Sequence, residues 1–422
     1  MVKLSKTTSV ALETLGCKLN QAETQQLAAQ LAQAGYKLVD STQKADIYVL
    51  NTCTVTHVAD RKSRHLLRLA RRLNPSARLI AVGCYAHRAP QELAQIDGVD
   101  LILNNDRKND LVSILKNTYG IKQPFTDVLL NPRVNSQRNR AFLKVQDGCH
   151  NFCAFCIVPY VRTREVSLPV TDIVAQVREK VAAGFKEVVL TGTEVGTYRS
   201  GGTNLAGLLK HILEKTDICR VRLSSLQPPE ISEKLVRPWH DPRLCPHFHL
   251  SLQSGSDSVL RRMKRRYTIA DYSEKVNLIR GSVTDVAITT DVIVGFPGET
   301  ETEFQETFEF CRKMHFARIH VFPFSPRPGT LAATMPDQVS AAVKKERSRQ
   351  MLALAKESSK NFRQGFLGKN IEVLWEQSKD GIWSGLTGNY VRVYSRVDVD
   401  LASKTIPVKL ERVYNDGLWG EC

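Results

Sequence analysis

The chain has 422 residues, 42 % hydrophobic and 24 % charged, with a formal net charge of +16. This length and balance fit two or three globular domains and exclude disordered or collagen-like classes. No apolar run reaches bilayer length and MVKLSKTTSVALETLG has no signal core, so the chain reads as cytoplasmic with no membrane partner, and its ten cysteines point to metal or catalytic chemistry rather than disulfides.

Residues 1–125 alternate strand and helix. Ser9 to Leu15 reads as a strand and ETQQLAAQLAQAG as the helix after it; Ile47 to Leu50, Arg78 to Val82 and Val99 to Leu103 are further short buried strands. Repeated βα units predict an open parallel α/β domain. Cys17, Cys53 and Cys84 follow the first three of these strands, in LGCKLN, LNTCTV and AVGCYA. Open parallel sheets bind ligands at the carboxyl ends of their strands, so these dispersed cysteines are expected on one rim, sharing a ligand. After Cys53 comes DRKSRHLLRLARRLN. At about 100° per residue, Arg61, Arg64, Arg68, Arg71 and Arg72 fall on one arc, with Leu66, Leu69, Ala70 and Leu73 opposite. Such a face is either a solvated surface or a stripe that binds nucleic-acid phosphates, and in so basic a chain it is the candidate RNA contact.

NPRVNSQRNR reads as a linker. Over residues 135–364 the alternation resumes, with FLKVQ, EVVLTG, VRLSS, FHLSL, DVIVGF and RIHVFPF as strands. Six parallel strands predict a partial (β/α) barrel, short of the eight that close a TIM barrel. The CHNFCAFC loop follows the first strand; GTE, SLQSGS, GFPGE and FSPRPGT follow others, on the face where such barrels carry chemistry. RRMKRR, Arg261 to Arg266, is a second basic strip. MPDQVSAAVKKERSRQMLALAKESSKNFRQG predicts one helix stopped by Gly365. Residues 365–422 break into IEVLWEQ, GIWSGLTG, YVRVYSR and TIPVKLERVYND, which predict a small antiparallel β-barrel of about five strands. This last part has seven basic and eight acidic residues, so the positive excess lies upstream of it. Cys219, Cys245, Cys311 and Cys422 are scattered singly and read as buried small hydrophobes or an idle terminus.

Cys149, Cys153 and Cys156 form C-x3-C-x2-C. Structural zinc is usually closed by four ligands; no second cysteine pair follows, and His150 neighbours Cys149 too closely to serve without strain. A [4Fe–4S] cube has four iron corners, and three thiolates leave one open, as a catalytic cluster requires. The spacing, with Phe155 before the last cysteine, resembles the radical S-adenosylmethionine (SAM) family. A preceding α/β domain with three dispersed cysteines and a following β-barrel then resemble the methylthiotransferases, as do CIVPYVRTRE, HFHLSLQSGSDSVLRRMKRRYT, DVIVGFPGETETEF and FPFSPRPGT. The likeness covers nearly the whole chain.

That resemblance implies two [4Fe–4S] clusters, one on Cys149, Cys153 and Cys156 that binds and reductively splits SAM, and one on Cys17, Cys53 and Cys84 where the transferred sulfur binds. One SAM methylates that sulfur and a second supplies the radical that attacks the substrate carbon. It implies an RNA-binding TRAM domain at the C-terminus, Glu194 of LTGTEVG at the SAM amino group, and Gln253 of SLQSGS at the same mouth; the other reading of both is an ordinary structural loop residue. Gly295 of GFPGE either brings backbone near the adenosine or only makes a tight turn. The family string IPY-x-R-G-x-E-x-S-R reads here VPYVRTREVSLP, with Thr163 and Leu168 in place of glycine and arginine.

Three branches of the family differ around the first cysteine. One reads like YGCQMN and modifies isopentenyladenosine in tRNA; one reads like LGCPKN and modifies a ribosomal-protein aspartate. The third reads like LGCKVN and modifies threonylcarbamoyladenosine in tRNA. LGCKLNQAET favours the third. The implied partners are the tRNA anticodon stem-loop, an electron donor such as flavodoxin or ferredoxin, and a sulfur source. A non-catalytic iron–sulfur electron carrier or RNA-binding protein is the rival class, separated by SAM cleavage under reducing conditions.

Overall fold

A computed structural model describes residues 8–119 and 139–421. The expected boundaries at 125 and 135, residues 131–138 of the linker and Cys422 lie outside the described residues.

The N-terminal domain is a parallel sheet of β1 (Ser9–Thr14), β2 (Lys37–Val39), β3 (Ile47–Thr52), β4 (Arg78–Gly83) and β5 (Val99–Leu103), in the order β2-β1-β3-β4-β5. Helices cover both faces, so central β3 is buried at every residue and reads as a continuous apolar run. Leu27, Leu31, Leu111 and Leu115 pack on one face; Leu67, Ala70, Tyr85 and Leu93 pack on the other. Edge strand β2 was not expected, because three half-exposed residues carry too little alternation to be recognised. Helix α1 (Lys18–Gln33) starts before ETQQ, directly after Gly16 turns the chain at φ +102°. Helix α2 (His57–Leu73) begins at Thr56, whose side chain accepts from the Ala59 N–H.

The central domain carries parallel strands Arg140–Lys144, Glu187–Thr191, Arg220–Leu223, His247–Leu250, Ala287–Val294 and Arg318–Pro323. They lie side by side in chain order, and Ser225–Leu226 with a Val221–Leu244 bridge joins the first three to the last three. Among the described residues no pairing joins the first strand to the last, so the barrel is partial. The expected long helix begins later, at Ala341 rather than at MPDQ, because Asp337 is left-handed at φ +56° and Ser340 caps the first turn; it ends at Gln364, just before Gly365.

The C-terminal strands Asn370–Lys379, Ile382–Thr387, Arg392–Ser395, Thr405–Tyr414 and Gly417–Glu421 close into a barrel around buried Trp375. Four neighbours pair antiparallel, but Arg392–Ser395 and Gly417–Glu421 pair parallel. An odd ring cannot alternate direction all the way round, so one parallel contact is forced. This barrel docks under the central one. Arg220 donates to the carbonyls of Leu386 and Glu372, Arg222 donates to that of Gly388, and the Arg222 guanidinium sits 3.5 Å from the Tyr390 ring centroid. Among the described residues no helix is long and apolar enough to cross a membrane.

Candidate functional site

The first three cysteines sit where β-strands hand over to helices. Cys17 is the N-cap of α1, Cys53 follows β3, and Cys84 opens the helix Cys84–Arg88 after β4. Cys53 and Cys84 are buried and Cys17 is exposed. Gly16 lies against Cys53 so closely that a Cβ there would be 2.8 Å from both its Cβ and its Sγ. Burial pushes the Cys53 thiol up to about 12, with a lesser contribution from the nearby Cys84 and Cys17 charges. The Asn105 amide donates to Cys84 Sγ (3.5 Å) and to the Val161 carbonyl (2.7 Å).

The second three share one loop between the strand Arg140–Lys144 and the short helix Val158–Val161. Gly148 enters it at φ +81° with the Arg164 carbonyl where a Cβ would lie. The loop is held from both sides: the Ala154 N–H donates to the Met263 carbonyl, and the Ala332 N–H donates to that of Ala154. The Cys149 thiol donates to Glu194 (3.1 Å), the Asn151 N–H donates to Cys149 Sγ (3.4 Å), and Arg265 donates to Cys153 Sγ (3.2 Å). Burial pushes the Cys156 thiol up to about 12. Phe155 packs against a buried cluster that includes Met263, Phe296 and Phe324. His150 turns away to Glu165 (3.4 Å) and the Thr163 carbonyl (3.3 Å), consistent with three ligands rather than four. Leu168 packs on the main core, and its carbonyl accepts from Tyr198.

These donor sets suit thiolate-bound clusters. Each trio has N–H groups aimed at sulfur, which favours sulfur carrying negative charge. The raised thiols mean that binding such a group displaces protons.

The two trios adjoin. Cys84 packs directly on Ile157 and Val161, in the segment after Cys156. A cavity of about 220 Å³ is lined by Val55 and Thr56 from the Cys53 side and by Phe155, Cys156, Gln253, Asp291 and Ile293 from the barrel. Gln253 reaches it from a left-handed backbone (φ +68°). Glu194 is buried and its Oε1 accepts from Asn151 and Gln227, both at 2.5 Å. Beside it the Glu230 carboxyl is pushed up to about 8, chiefly by burial and further by Glu194. Gly295 also turns left-handed (φ +72°), and the Lys344 side chain fills the place a Cβ would take.

Arg162 is a residue that motif spacing did not single out. It is 6 % exposed, donates to Glu23, Asp147 and Asn20, and lies close enough to Cys84 to feel its charge. Glu23 also pairs with Lys108 (2.5 Å) and Lys144 (3.2 Å). Arg327 of FSPRPGT likewise binds Asp60 (2.5 Å), which also takes Arg88 (3.1 Å). Both struts bind the N-terminal domain to the barrel; the sequence signal for either is a basic residue within CIVPYVRTRE or FSPRPGT.

The basic strips are divided by the structure. On α2, Arg61, Arg68 and Arg72 are exposed. Arg64 instead meets Tyr85 (2.5 Å) and Glu92 (3.7 Å), and Arg71 donates to the carbonyls of Pro75, Ala77 and Gly98. The buried face is Asp60, Ser63, Leu67 and Ala70, and the expected apolar Leu73 is 54 % exposed. In RRMKRR, Arg262 pairs with Glu303 and Arg265 turns inward to Cys153, leaving Arg261, Lys264 and Arg266 outside. Cys245 and Cys311 are buried as expected, but Cys219 is exposed.

Residues 9–104 match the model described as uncharacterized protein family UPF0004, and residues 143–311 match the radical SAM superfamily. A radical SAM methyltransferase, TsrM from Kitasatospora setae, shares the fold, with a TM-score of 0.56 at 15 % identity over 78 % of this chain and 77 % of that one. The cysteine loop on this barrel defines a radical SAM protein, a class that implies a [4Fe–4S] cluster and SAM. Among curated relatives, the threonylcarbamoyladenosine tRNA methylthiotransferase MtaB of Bacillus subtilis is 36 % identical over 97 % of this chain and 96 % of its own. The protein of that name from Aquifex aeolicus is 41 % identical over 86 % and 92 %. A tRNA-2-methylthio-N(6)-dimethylallyladenosine synthase from Thermodesulfovibrio yellowstonii is 33 % identical over 98 % of each. The chain belongs to the radical SAM methylthiotransferase family.

Proposed function

We propose that the protein attaches a methylthio group to C2 of N6-threonylcarbamoyladenosine, just 3′ of the tRNA anticodon, using two [4Fe–4S] clusters and SAM. The observation that carries this reading is the meeting of the two cysteine-bearing segments: Cys84 packs on Ile157 and Val161, just after Cys156, and Val55 and Thr56, just after Cys53, line one cavity with Phe155 and Cys156. The target is an unactivated aromatic C–H with no acidic proton, beyond ordinary acid–base chemistry; the bound clusters and SAM supply the radical and the sulfur.

The chain's own residues bind and orient. Cys149, Cys153 and Cys156 would hold one cluster and Cys17, Cys53 and Cys84 the other. Arg265, Asn151 and Asn105 donate N–H groups to sulfurs of these trios. Glu194, held by Asn151 and Gln227, is the carboxylate for the SAM amino group, with Glu230 beside it to hold a proton. Gln253 and Phe155 line the cavity, whereas Gly295 lies outside its lining and makes a tight turn against Lys344. Exposed Arg61, Arg68 and Arg72 supply phosphate contacts, joined by the C-terminal barrel, which would read RNA shape rather than charge. An electron donor such as flavodoxin or ferredoxin and a sulfur source complete a cytoplasmic reaction.

The threonylcarbamoyl branch rests on LGCKLNQAET and on the names of the relatives from Bacillus and Aquifex. The test is a side-by-side incubation of tRNAs bearing either adenosine modification with SAM and a reductant, read by nucleoside mass spectrometry. A 2-methylthio product on the threonylcarbamoyl tRNA is expected. A product only on the isopentenyl tRNA would overturn the branch, and modification of a ribosomal protein alone would overturn the RNA substrate.

A further inference from the structure

A second cavity, of about 320 Å³, lies where the central barrel meets the C-terminal barrel. Its wall carries Lys18, Arg140, Arg318, Arg363 and Arg392 against a single lining carboxylate, Asp416. Arg140 is paired with Glu376 (3.0 Å) and Arg392 with Asp416 (3.4 Å). Among the described residues, Lys18, Arg318 and Arg363 form no salt bridge; Arg363 Nη1 donates to Ser359 Oγ (2.8 Å), and its Nε is buried without a partner. His247, 3 % exposed, also lines the cavity, and its Nδ1 has no hydrogen-bond partner among the described residues. Half-buried Arg363 and exposed Arg318, neither with a carboxylate partner, and an unpartnered buried ring nitrogen around one cavity fit an anion.

This cavity adjoins the cysteine-side cavity beside Asp291. Asp291 lines the cysteine side; its two oxygens meet His249 Nε2 and His320 Nδ1, both at 3.1 Å, and those histidines line the cationic side. Thr289 and Ile293 share the strand with Asp291 and line the cationic and cysteine-side cavities respectively. Side chains on one face recur about every 6.7 Å along a strand, so Thr289 and Ile293 stand about 13 Å apart, the length scale of a purine with an extended N6 substituent. In the substrate, C2 and the N6 substituent project from different edges of the purine. A base with C2 toward the cysteines sends that substituent deeper into the barrel. A threonylcarbamoyl group ends in a carboxylate; an isopentenyl group is apolar.

We propose that the cationic cavity takes the carboxylate of the threonylcarbamoyl substituent, with Arg318, Arg363 and His320 as its partners, and so selects this substrate over the isopentenyl one. The inference rests on the proposed tRNA substrate. The alternative occupant of the same chemistry is a backbone phosphate of the tRNA.

The test uses the full, reconstituted chain with anticodon stem-loops carrying the modified base as free acid or as its methyl ester. Wild type should prefer the acid by about 10- to 100-fold in kcat/KM, the range of a charged hydrogen bond lost. Arg318→Met with Arg363→Met should erase that preference, while iron content and SAM cleavage without RNA stay unchanged. His320→Gln should reduce it in part. Equal use of acid and ester by wild type, with methylthiolation intact, would overturn the cavity assignment alone. Equal weakening of both stem-loops in the double variant would identify a backbone-phosphate site and likewise overturn it. No product on either stem-loop from wild type, with product on isopentenyl tRNA, would overturn the substrate reading and the inference built on it.

Discussion

The two cysteine trios are built in opposite ways. Cys149, Cys153 and Cys156 lie in one loop, shaped by Gly148 and pinned by backbone bonds to Met263 and Ala332. Cys17, Cys53 and Cys84 come from three separate strand ends, and nothing local holds them together. Their meeting depends on the β1-β3-β4 order of the sheet and on Gly16 letting α1 start against Cys53. A contiguous site tolerates change elsewhere in the fold; a dispersed one inherits every fault of the sheet and of the domain interface.

The largest effect expected is on the clusters themselves. Reconstituted protein should hold about eight iron, two cubes' worth. Cys149→Ala should remove one cluster and abolish SAM cleavage, whereas Cys53→Ala should remove the other and leave SAM cleavage intact. Gly16→Ala should mimic Cys53→Ala, because its new methyl group meets Cys53. Loss of all SAM cleavage in folded Cys53→Ala protein would break the division between the trios.

The interface strut comes next. Glu23 is buried, and although burial opposes ionisation, Lys108 and Arg162 hold its carboxyl well below the usual range. Glu23→Gln leaves buried Lys108 without a carboxylate and Arg162 with Asp147 alone, and should destabilise the chain by about 3–5 kcal/mol at pH 7. A depressed folded-state value stabilises above the ordinary glutamate range and loses that contribution as pH falls from it toward the folded value. Denaturant melts should therefore show the gap between wild type and variant narrowing below about pH 4.5. The dispersed trio should lose iron before the contiguous one in this variant; equal loss would show that the two share one interface dependence.

The smallest effect concerns α2, beside the dispersed trio. Gln at Arg61, Arg68 and Arg72 should reduce the salt slope of tRNA binding by up to about three contacts' worth. Arg71→Gln should instead lower the melting temperature and leave the slope alone, since its guanidinium holds the carbonyls of Pro75, Ala77 and Gly98. An unchanged slope in the triple variant would return that face to ordinary solvated surface.

What the sequence by itself determined is what short-range pattern encodes. The cysteine loop was legible because its chemistry and spacing are local. The parallel sheets were legible because strands buried on both faces, such as Ile47–Thr52, read as unbroken apolar runs. Even the strand-end positions of Cys17, Cys53 and Cys84 followed from βα alternation. The tertiary structure alone decided which long side chains are structural and which are free. Arg64, Arg71, Arg262 and Arg265 look in sequence like Arg61, Arg68, Arg72 and Arg266, yet the first four are committed to Tyr85, backbone carbonyls, Glu303 and Cys153. The physical reason is reach. A guanidinium sits at the end of a flexible stem, so its partner is chosen by whatever the fold brings within a few ångströms, not by its neighbours along the chain. The same holds for Arg162 with Glu23 and for the cations over the C-terminal barrel, whose surroundings come from segments far apart in sequence.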